Sequence, residues 1–265
     1  MKICIYANCQ GDGVAYFMRK AVPSLDICVH RNYQLMIGEQ DPAALLRDVN
    51  QADVFIYQPT DALPTKKGDV PSTHFLADNV FCGKNDYAIS FAYQFNTGFF
   101  PIVKSGQWWT GAEVVARAKI VCNSAACQRN NNTLQRYDLG MLSFDCARRF
   151  AENLAEQSRR EASCSMRFAP FILRNFQTKH LFVMHNHPAS ALFEEMAFRM
   201  LMQIGQNVDR TPYTHPNEAG LPGYHGVHPA VIRELGLQYE PNREGEDMEF
   251  YRTLITELLA TKGVL

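Results

Sequence analysis

The sequence predicts an α/β protein: an open, mostly parallel sheet covered by helices, with a helical insertion or cap in the middle of the chain. Two observations predict it. In the first third, short apolar runs alternate with capped or amphipathic segments, the pattern of parallel strands buried on both faces. In the middle, apolar residues return every three or four positions instead, as one face of a helix does.

Taken in order, "KICIYAN" (2–8) reads as a strand and is followed by a helix from about Gly13 to Lys20. "DICVHRN" (26–32) alternates as a second strand. "DPAALLRDVNQA" (41–52) opens with Asp then Pro, a good N-cap and first-turn pair for a helix. "DVFIYQP" (53–59) is a third strand, "STHFLADNV" (72–80) a short helix and "DYAISFAY" (86–93) a fourth strand. From about Thr133 to Phe176 the chain reads as helical, with Leu139, Leu142, Cys146, Phe150 and Leu154 on one stripe. "HLFVMHNHP" (180–188) returns to strand, and a helix from Ala189 to about Ile204 carries Phe193, Met196, Met200 and Ile204 on one face. A loop rich in Pro, Gly and His (205–229) leads to "PAVIRELGL" (229–237), and an amphipathic helix is expected near 246–260. The organisation expected is one compact unit over 1–265: a sheet portion at 1–125, a helical portion at 126–178, and a returning strand, helices and His-rich loop at 179–265.

Composition excludes several classes of function. With 46% hydrophobic and 20% charged residues, the 265-residue chain is ordinary for a globular protein with a real core. Twenty-six basic side chains against 27 acidic ones leave no basic excess for general nucleic-acid binding. No stretch reaches the roughly 18 consecutive apolar residues of a membrane helix. One lysine, a short apolar run and no cleavage-site pattern speak against a secretory signal. The eight cysteines (4, 9, 28, 82, 122, 127, 146, 164) include no C-x-x-C pair, and the Cys122 and Cys127 spacing has no matching second half for zinc. Cys4, Cys28 and Cys146 fall inside predicted strands and a helix, as small buried hydrophobes do. A reduced, cytoplasmic protein without a structural metal is expected.

Ligands of open parallel sheets bind beyond the carboxyl ends of the strands. Asn8-Cys9-Gln10, Gln58-Pro59 and Tyr93-Gln94 each lie just past such an end. Cys9, between a strand and a helix, would feel the unpaired N–H groups of the first turn, which favour thiolate. Gly11 and Gly13 lack Cβ atoms and would let backbone N–H groups approach a phosphate or an oxyanion. The alternative is that Cys9 is an inert buried thiol and the glycines only shape a turn. In "HNHP" (185–188), His187 is the better general base or acid and Asn186 a candidate cap for the helix opened by Pro188. The loop "YTHPNEAGLPGYHGVHP" (213–229) holds His215, His225 and His228, with Glu218 the one carboxylate nearby. "HPNEAG" is similar to the stretch bearing the catalytic His of SGNH-type esterases. That family has an Asp three residues earlier, where this chain has Pro212. The aromatic-rich "SFAYQFNTGFFP" (90–101), with Trp108 and Trp109, reads equally as a pocket wall or as core.

"KICIYANCQG", "ADVFIYQPT", "AISFAYQFNTGFFP", "RFAPFILRNFQTKHLFVMHNHPASALFEEMAFRMLMQIG" and "HPAVIRELGL", in that order, resemble the WcbI-like family of capsular polysaccharide biosynthesis proteins. The most specific pieces are Asn8-Cys9-Gln10, Tyr57-Gln58-Pro59 and Asn186-His187-Pro188. Ala189 departs from the small hydroxyl residue expected after His-Pro. The resemblance implies coenzyme A binding and acetyl transfer to a sugar hydroxyl of a surface polysaccharide. Acyl transfer needs a nucleophile, a base and oxyanion donors. Cys9 and His187 are the expected catalytic pair. Asn8, Gln10, Gly11, Gln58, Gln94 and Asn186 are the expected oxyanion or substrate contacts. Gly11, Gly13, His185 and His215 are the expected coenzyme contacts. The acyl group would pass through Cys9, or directly from acetyl-CoA to a hydroxyl activated by His187. The rival readings are an SGNH-like acyl esterase and a non-catalytic protein that binds CoA or a nucleotide.

Overall fold

The computed structural model describes residues 1–81, 87–100, 144–210 and 227–239, the backbone of 104–105, 108–109, 119–120 and 142–143, and Arg252, Thr253 and Thr256. The chain divides into two compact units, each assembled from described residues of three stretches. The first draws on Met1–Gln94, Gln157–Ile172 and Pro188–Ala219, the second on Phe95–Glu156, Leu173–His187 and Gly220–Leu265.

The first unit is built on a four-stranded parallel sheet, the α/β architecture expected from the sequence. Its strands are β1 (Lys2–Ala7), β2 (Asp26–Arg31), β3 (Val54–Tyr57) and β4 (Ala88–Ser90), in the order β2-β1-β3-β4. Cys4 stands opposite Cys28 on one side and Phe55 on the other, and Tyr6 stands opposite His30 and Tyr57. Register partners in parallel strands share a face. Cys4, Tyr6, Phe55 and Tyr57 therefore face one way, into a cluster with Leu35, Leu45, Val49, Leu76 and Phe81. That cluster comes from α2 (Asn32–Ile37), α3 (Pro42–Gln51) and α4 (Thr73–Phe75), which continues as a π-helical turn, Leu76–Val80, closed by Phe81 N–H on Leu76 O at 2.8 Å. Asp41 caps α3 as expected, its carboxylate accepting from Ala43 N–H at 3.0 Å ahead of Pro42. Ile3, Ile5, Val54 and Ile56 are fully buried on the other face, each burial contributing about 1.5–3 kcal/mol.

α1 (Gln10–Ala21) covers that second face and starts three residues earlier than the sequence suggests. It packs on α7 (Ser190–Gln203), whose Phe193 stacks on Phe17 with ring centroids 6.3 Å apart. Phe193, Met196, Met200 and Ile204 are all buried, the stripe expected of this helix. β4 is shorter than its apolar run because the chain beyond it pairs elsewhere. Phe91 bridges to Met166, and Ser90 and Ser165 exchange bonds, Ser165 N–H on Ser90 Oγ at 2.9 Å and Ser90 N–H on Ser165 Oγ at 3.1 Å.

The middle of the chain holds α5 (Cys146–Glu161) and α6 (Ala169–Asn175), the expected helical insertion. Leu142 is not on that helical stripe. It lies in β8 (Leu142–Ser143), paired antiparallel with β7 (Lys119–Ile120), just as β5 (Lys104–Ser105) pairs with β6 (Trp108–Trp109). In the second unit Glu234 of α8 (Pro229–Leu235) satisfies the start of α5, accepting from Phe144 N–H at 3.0 Å and Cys146 N–H at 2.9 Å. Phe99, Phe150, Phe176 and Phe182 pack ring to ring, with Phe99 and Phe150 edge to face at 5.5 Å. The aromatics at 91, 99 and 100 are thus core, while the Trp108 and Trp109 side chains lie outside the described residues.

The single strand expected over 180–188 is a pair, β9 (Phe182–Met184) and β10 (His187–Pro188), joined by a turn at His185 and Asn186. Asn186 consequently does not cap the following helix, whose N-cap is Ala189 without a side-chain bond. Leu139, Cys82, Cys122, Cys127, His215, His225 and most of the expected 246–260 helix lie outside the described residues. No helix among the described residues is long and apolar enough to cross a membrane.

Candidate functional site

Past the end of β1, Asn8 makes a turn that leaves capping to itself rather than to Cys9. Asn8 Oδ1 accepts from Gln10 N–H at 2.9 Å and Asn8 O from Gly11 N–H at 3.0 Å. Cys9 is the N-cap residue of α1 but already has helical torsions, φ −56 and ψ −18, and its side chain makes no cap bond. Asp12 N–H bonds Cys9 O at 3.2 Å.

Three strand ends converge through amides, as their sequence positions suggest. Gln58, past β3, accepts from Asn8 N–H at 2.9 Å and donates Nε2 to Gln10 Oε1 at 3.2 Å. Gln94, beyond β4, is clamped to Gln10 both ways: its N–H meets Gln10 Oε1 at 3.0 Å and its carbonyl accepts from Gln10 Nε2 at 2.8 Å. Gln94 Nε2 donates to Ala92 O at 2.7 Å and lies 3.5 Å from Glu161 Oε1. The Glu161 carboxylate is itself held by Gln157 Nε2 at 2.7 Å and Ala169 N–H at 2.9 Å. Gln10, Gln58, Gln94, Gln157 and Glu161 are all at most 4% exposed. Buried polar groups cross-bonded in this way fix geometry, although Gln94 Oε1 itself is buried with no partner among the described residues. The donors expected to form an oxyanion hole, the Gln10 and Gly11 N–H groups and the Gln58 amide, are engaged in holding the Cys9 turn.

The two glycines serve packing. A Cβ on Gly11 would stand 3.1 Å from Ala7 Cβ, so this glycine lets α1 close onto the sheet. A Cβ on Gly13 would stand 2.4 Å from the Phe193 ring.

Cys9 is half-buried, and its thiol is pushed up by burial and by the nearby Asp12 carboxylate, against the opposing pull of its own N–H, Arg31 and Gln10 N–H. Asp12 is paired with Arg31 through two bonds of 2.7 Å. The helix start does not win: the Cys9 thiol is held above its ordinary range. Along α1 from Asp12, one turn beyond Cys9, an open groove of about 680 Å³ is lined by Asp12, Tyr16, Arg19, Lys20, Pro23 and Leu25.

His185, Asn186 and His187 belong to the second unit. His187 Nδ1 lies 2.7 Å from Asn186 Oδ1. An amide oxygen accepts, so the proton sits on Nδ1 and Nε2 carries the lone pair. Burial lowers the pKa of His187. His185 is lowered to about 4, by burial first and then by His187, and its ring meets Phe95 edge-on at 5.5 Å. Sequence reasoning missed Gln157 and Glu161. They continue the stripe of Cys146 and Phe150 at helical spacing, and polar residues on an apolar face are the signal that marks them.

Residues 120–209 match the family model described as polysaccharide biosynthesis enzyme WcbI. No curated protein matches the chain. A solved structure of WcbI, described as a novel polysaccharide biosynthesis enzyme in its native form without a disulfide bond between coenzyme A and a cysteine, is similar in fold. Its TM-score is 0.68 at 18% identity, over 98% of this chain and 90% of that one. The chain is thus WcbI-like, in its matched segment and in a fold shared over nearly its whole length.

Proposed function

We propose that the chain transfers an acyl group, acetyl by first choice, from coenzyme A to a sugar hydroxyl in the making of a surface polysaccharide, in the cytoplasm where acyl-CoA is found. The observation that carries this reading is the half-buried Cys9 thiol, held at the end of β1 by amides from two other strand ends. The similar WcbI structure is described in terms of coenzyme A and a cysteine. The groove along α1 adds support, since Arg19 and Lys20 beside Tyr16 offer cations and an aromatic face to a phosphorylated adenine carrier.

The roles of Cys9 and His187 are assigned separately, each from its own surroundings. A thiol that rests protonated is a poor nucleophile. A neutral imidazole whose tautomer is fixed by Asn186 is a ready base. Direct transfer is therefore the route the protonation states favour. His187 Nε2 takes the hydroxyl proton as the sugar oxygen attacks the thioester carbonyl. The tetrahedral intermediate then expels the CoA thiolate, which recovers the proton. Cys9, held by the Asn8, Gln10, Gln58 and Gln94 amides of the first unit, is assigned a positioning role toward the coenzyme.

Thermal unfolding with CoA, acetyl-CoA and nucleotides tests the binding. At about 100 times Kd, a CoA species should add about 2.7 kcal/mol of stability. No stabilisation by any CoA species overturns the proposal. In the transfer assay His187→Ala should abolish turnover. The rate of the unaltered protein should hold from neutral pH down to the ordinary imidazole range and fall only below it, because burial lowers this pKa. An acetyl mass on the intact protein that is absent from Cys9→Ala would replace direct transfer by the covalent route. Release of acetate without a sugar acceptor, at the full rate, would make the protein a hydrolase.

A further inference from the structure

On the face of the sheet that packs against α3, away from the helix that Cys9 begins, the fold assembles a set of soft donors. Cys4 and Cys28 are register partners on adjacent parallel strands, and His30 follows Cys28 by two residues on the same face. The two sulfurs and an imidazole nitrogen all lie within 4.8 Å of one another. Both cysteines are free. His30 is only 7% exposed, and its Nε2 lies 2.9 Å from Asp48 Oδ2, while Lys2 Nζ holds the other carboxylate oxygen at 3.0 Å. A carboxylate accepts, so the imidazole proton belongs on Nε2 and the Nδ1 lone pair is left for another partner. That Nδ1 is buried with no hydrogen-bond partner among the described residues. An orphaned buried acceptor beside two thiols requires an explanation.

We propose that Cys4 Sγ, Cys28 Sγ and His30 Nδ1 bind one thiophilic d10 cation, Zn(II) or Cu(I), with Asp48 orienting the imidazole. Two sulfurs and an imidazole select soft or borderline ions over magnesium or calcium, which require oxygen ligands. The carboxylate on the far nitrogen is the arrangement by which metal-bound histidines are held in one tautomer and orientation. Charge also balances: two thiolates and a divalent ion sum to zero, and the displaced thiol protons pass to solvent. Zn–S bonds of about 2.3 Å set tetrahedral sulfurs about 3.8 Å apart, a spacing inside the 4.8 Å that bounds these atoms. Cu(I) is complete with three ligands, whereas Zn(II) adds a water on the side where Cys28 is only half-buried. The ligands come from two strands 24 residues apart in register, so no local spacing motif announces them.

The test uses the full chain, reduced and stripped of metal with a chelator. Titrated Co(II) should give a thiolate-to-metal charge-transfer band at one equivalent, bleached by Zn(II). Competition against a Cu(I) chelator provides the other arm, and whichever ion binds more tightly identifies the occupant. Cys28→Ser should remove about half the band, since one of two thiolates is lost. Asp48→Asn should weaken binding by about 10- to 100-fold. Cys9→Ala should bind as the unaltered chain does. Cys28→Ser at the half-buried position and Asp48→Asn on α3 keep the test decisive should Cys4→Ser fail to fold. Absence of the band, a band unchanged in Cys28→Ser, or an intact mass short by two hydrogens from a Cys4–Cys28 disulfide would each overturn the proposal.

Discussion

At Cys9, two environments compete for one proton. The first turn of α1 offers N–H groups and the Arg31 guanidinium stands nearby, both favouring thiolate. Burial and the Asp12 carboxylate favour the thiol, and they prevail. Asp12→Asn removes one of the two and leaves Arg31 without its carboxylate partner. Iodoacetamide should then alkylate Cys9 faster at neutral pH, by up to roughly tenfold, the effect of one pKa unit. In the unaltered protein the alkylation rate should keep rising with pH beyond the ordinary thiol range, because the folded pKa is raised. A rate in Asp12→Asn equal to that of the unaltered protein would show that burial alone sets the thiol. Asp12 was visible in the sequence three residues after Cys9, but burial was not. Helix-terminus reasoning alone favours thiolate, and a buried thiol stood beside it as the other reading of the same residues.

The position of α1 is set by contacts rather than by propensity. Gly13 meets the face of Phe193, so the azimuth of the helix, and with it the direction of Cys9, depends on a missing side chain. Gly13→Ala should destabilise by about 1–3 kcal/mol through overpacking, measured by urea unfolding. Phe193→Leu in that background should recover part of the loss. Full stability of Gly13→Ala would show that the ring simply swings aside. The strands of the first unit and α3 were legible because unbroken apolar runs, and the Asp-Pro start of that helix, have few other readings. The turn at His185 and Asn186 was not, since polar residues at alternate positions also fit a continuing strand. Leu142 failed for the opposite reason: spacing from Cys146 placed it on a helix, whereas pairing with Ile120 put it in a ladder.

Over the whole molecule, the WcbI fold persists at 18% identity, which requires that its determinants be patterns rather than particular residues. Within this chain the buried amides are particular residues with particular bonds. Gln94→Leu leaves Gln10 with its backbone clamp but removes the Nε2 donor shared by Ala92 O and Glu161. Glu161 Oε1 keeps Gln157 Nε2 at 2.7 Å, whereas Ala92 O loses its Gln94 donor, and a buried acceptor left bare costs about 1–3 kcal/mol, a loss that thermal unfolding should show. A loss below about 0.5 kcal/mol would mean that water replaces the missing donor.

The same amides determine when the Cys9 turn can exist during folding. Gln10 reaches across 48 residues to Gln58 and 84 to Gln94, and Gln94 spans a further 67 to Glu161. Closing loops of that length costs entropy before any bond is gained, so local helices and the β1–β2 pair precede it. Until β3 is in place Asn8 lacks the bond from its N–H to Gln58, and until the chain beyond β4 is in place Gln10 lacks its clamp to Gln94. The Cys9 turn is therefore a late acquisition, and a chain arrested before β3 docks would carry Cys9 without the amides that hold its turn.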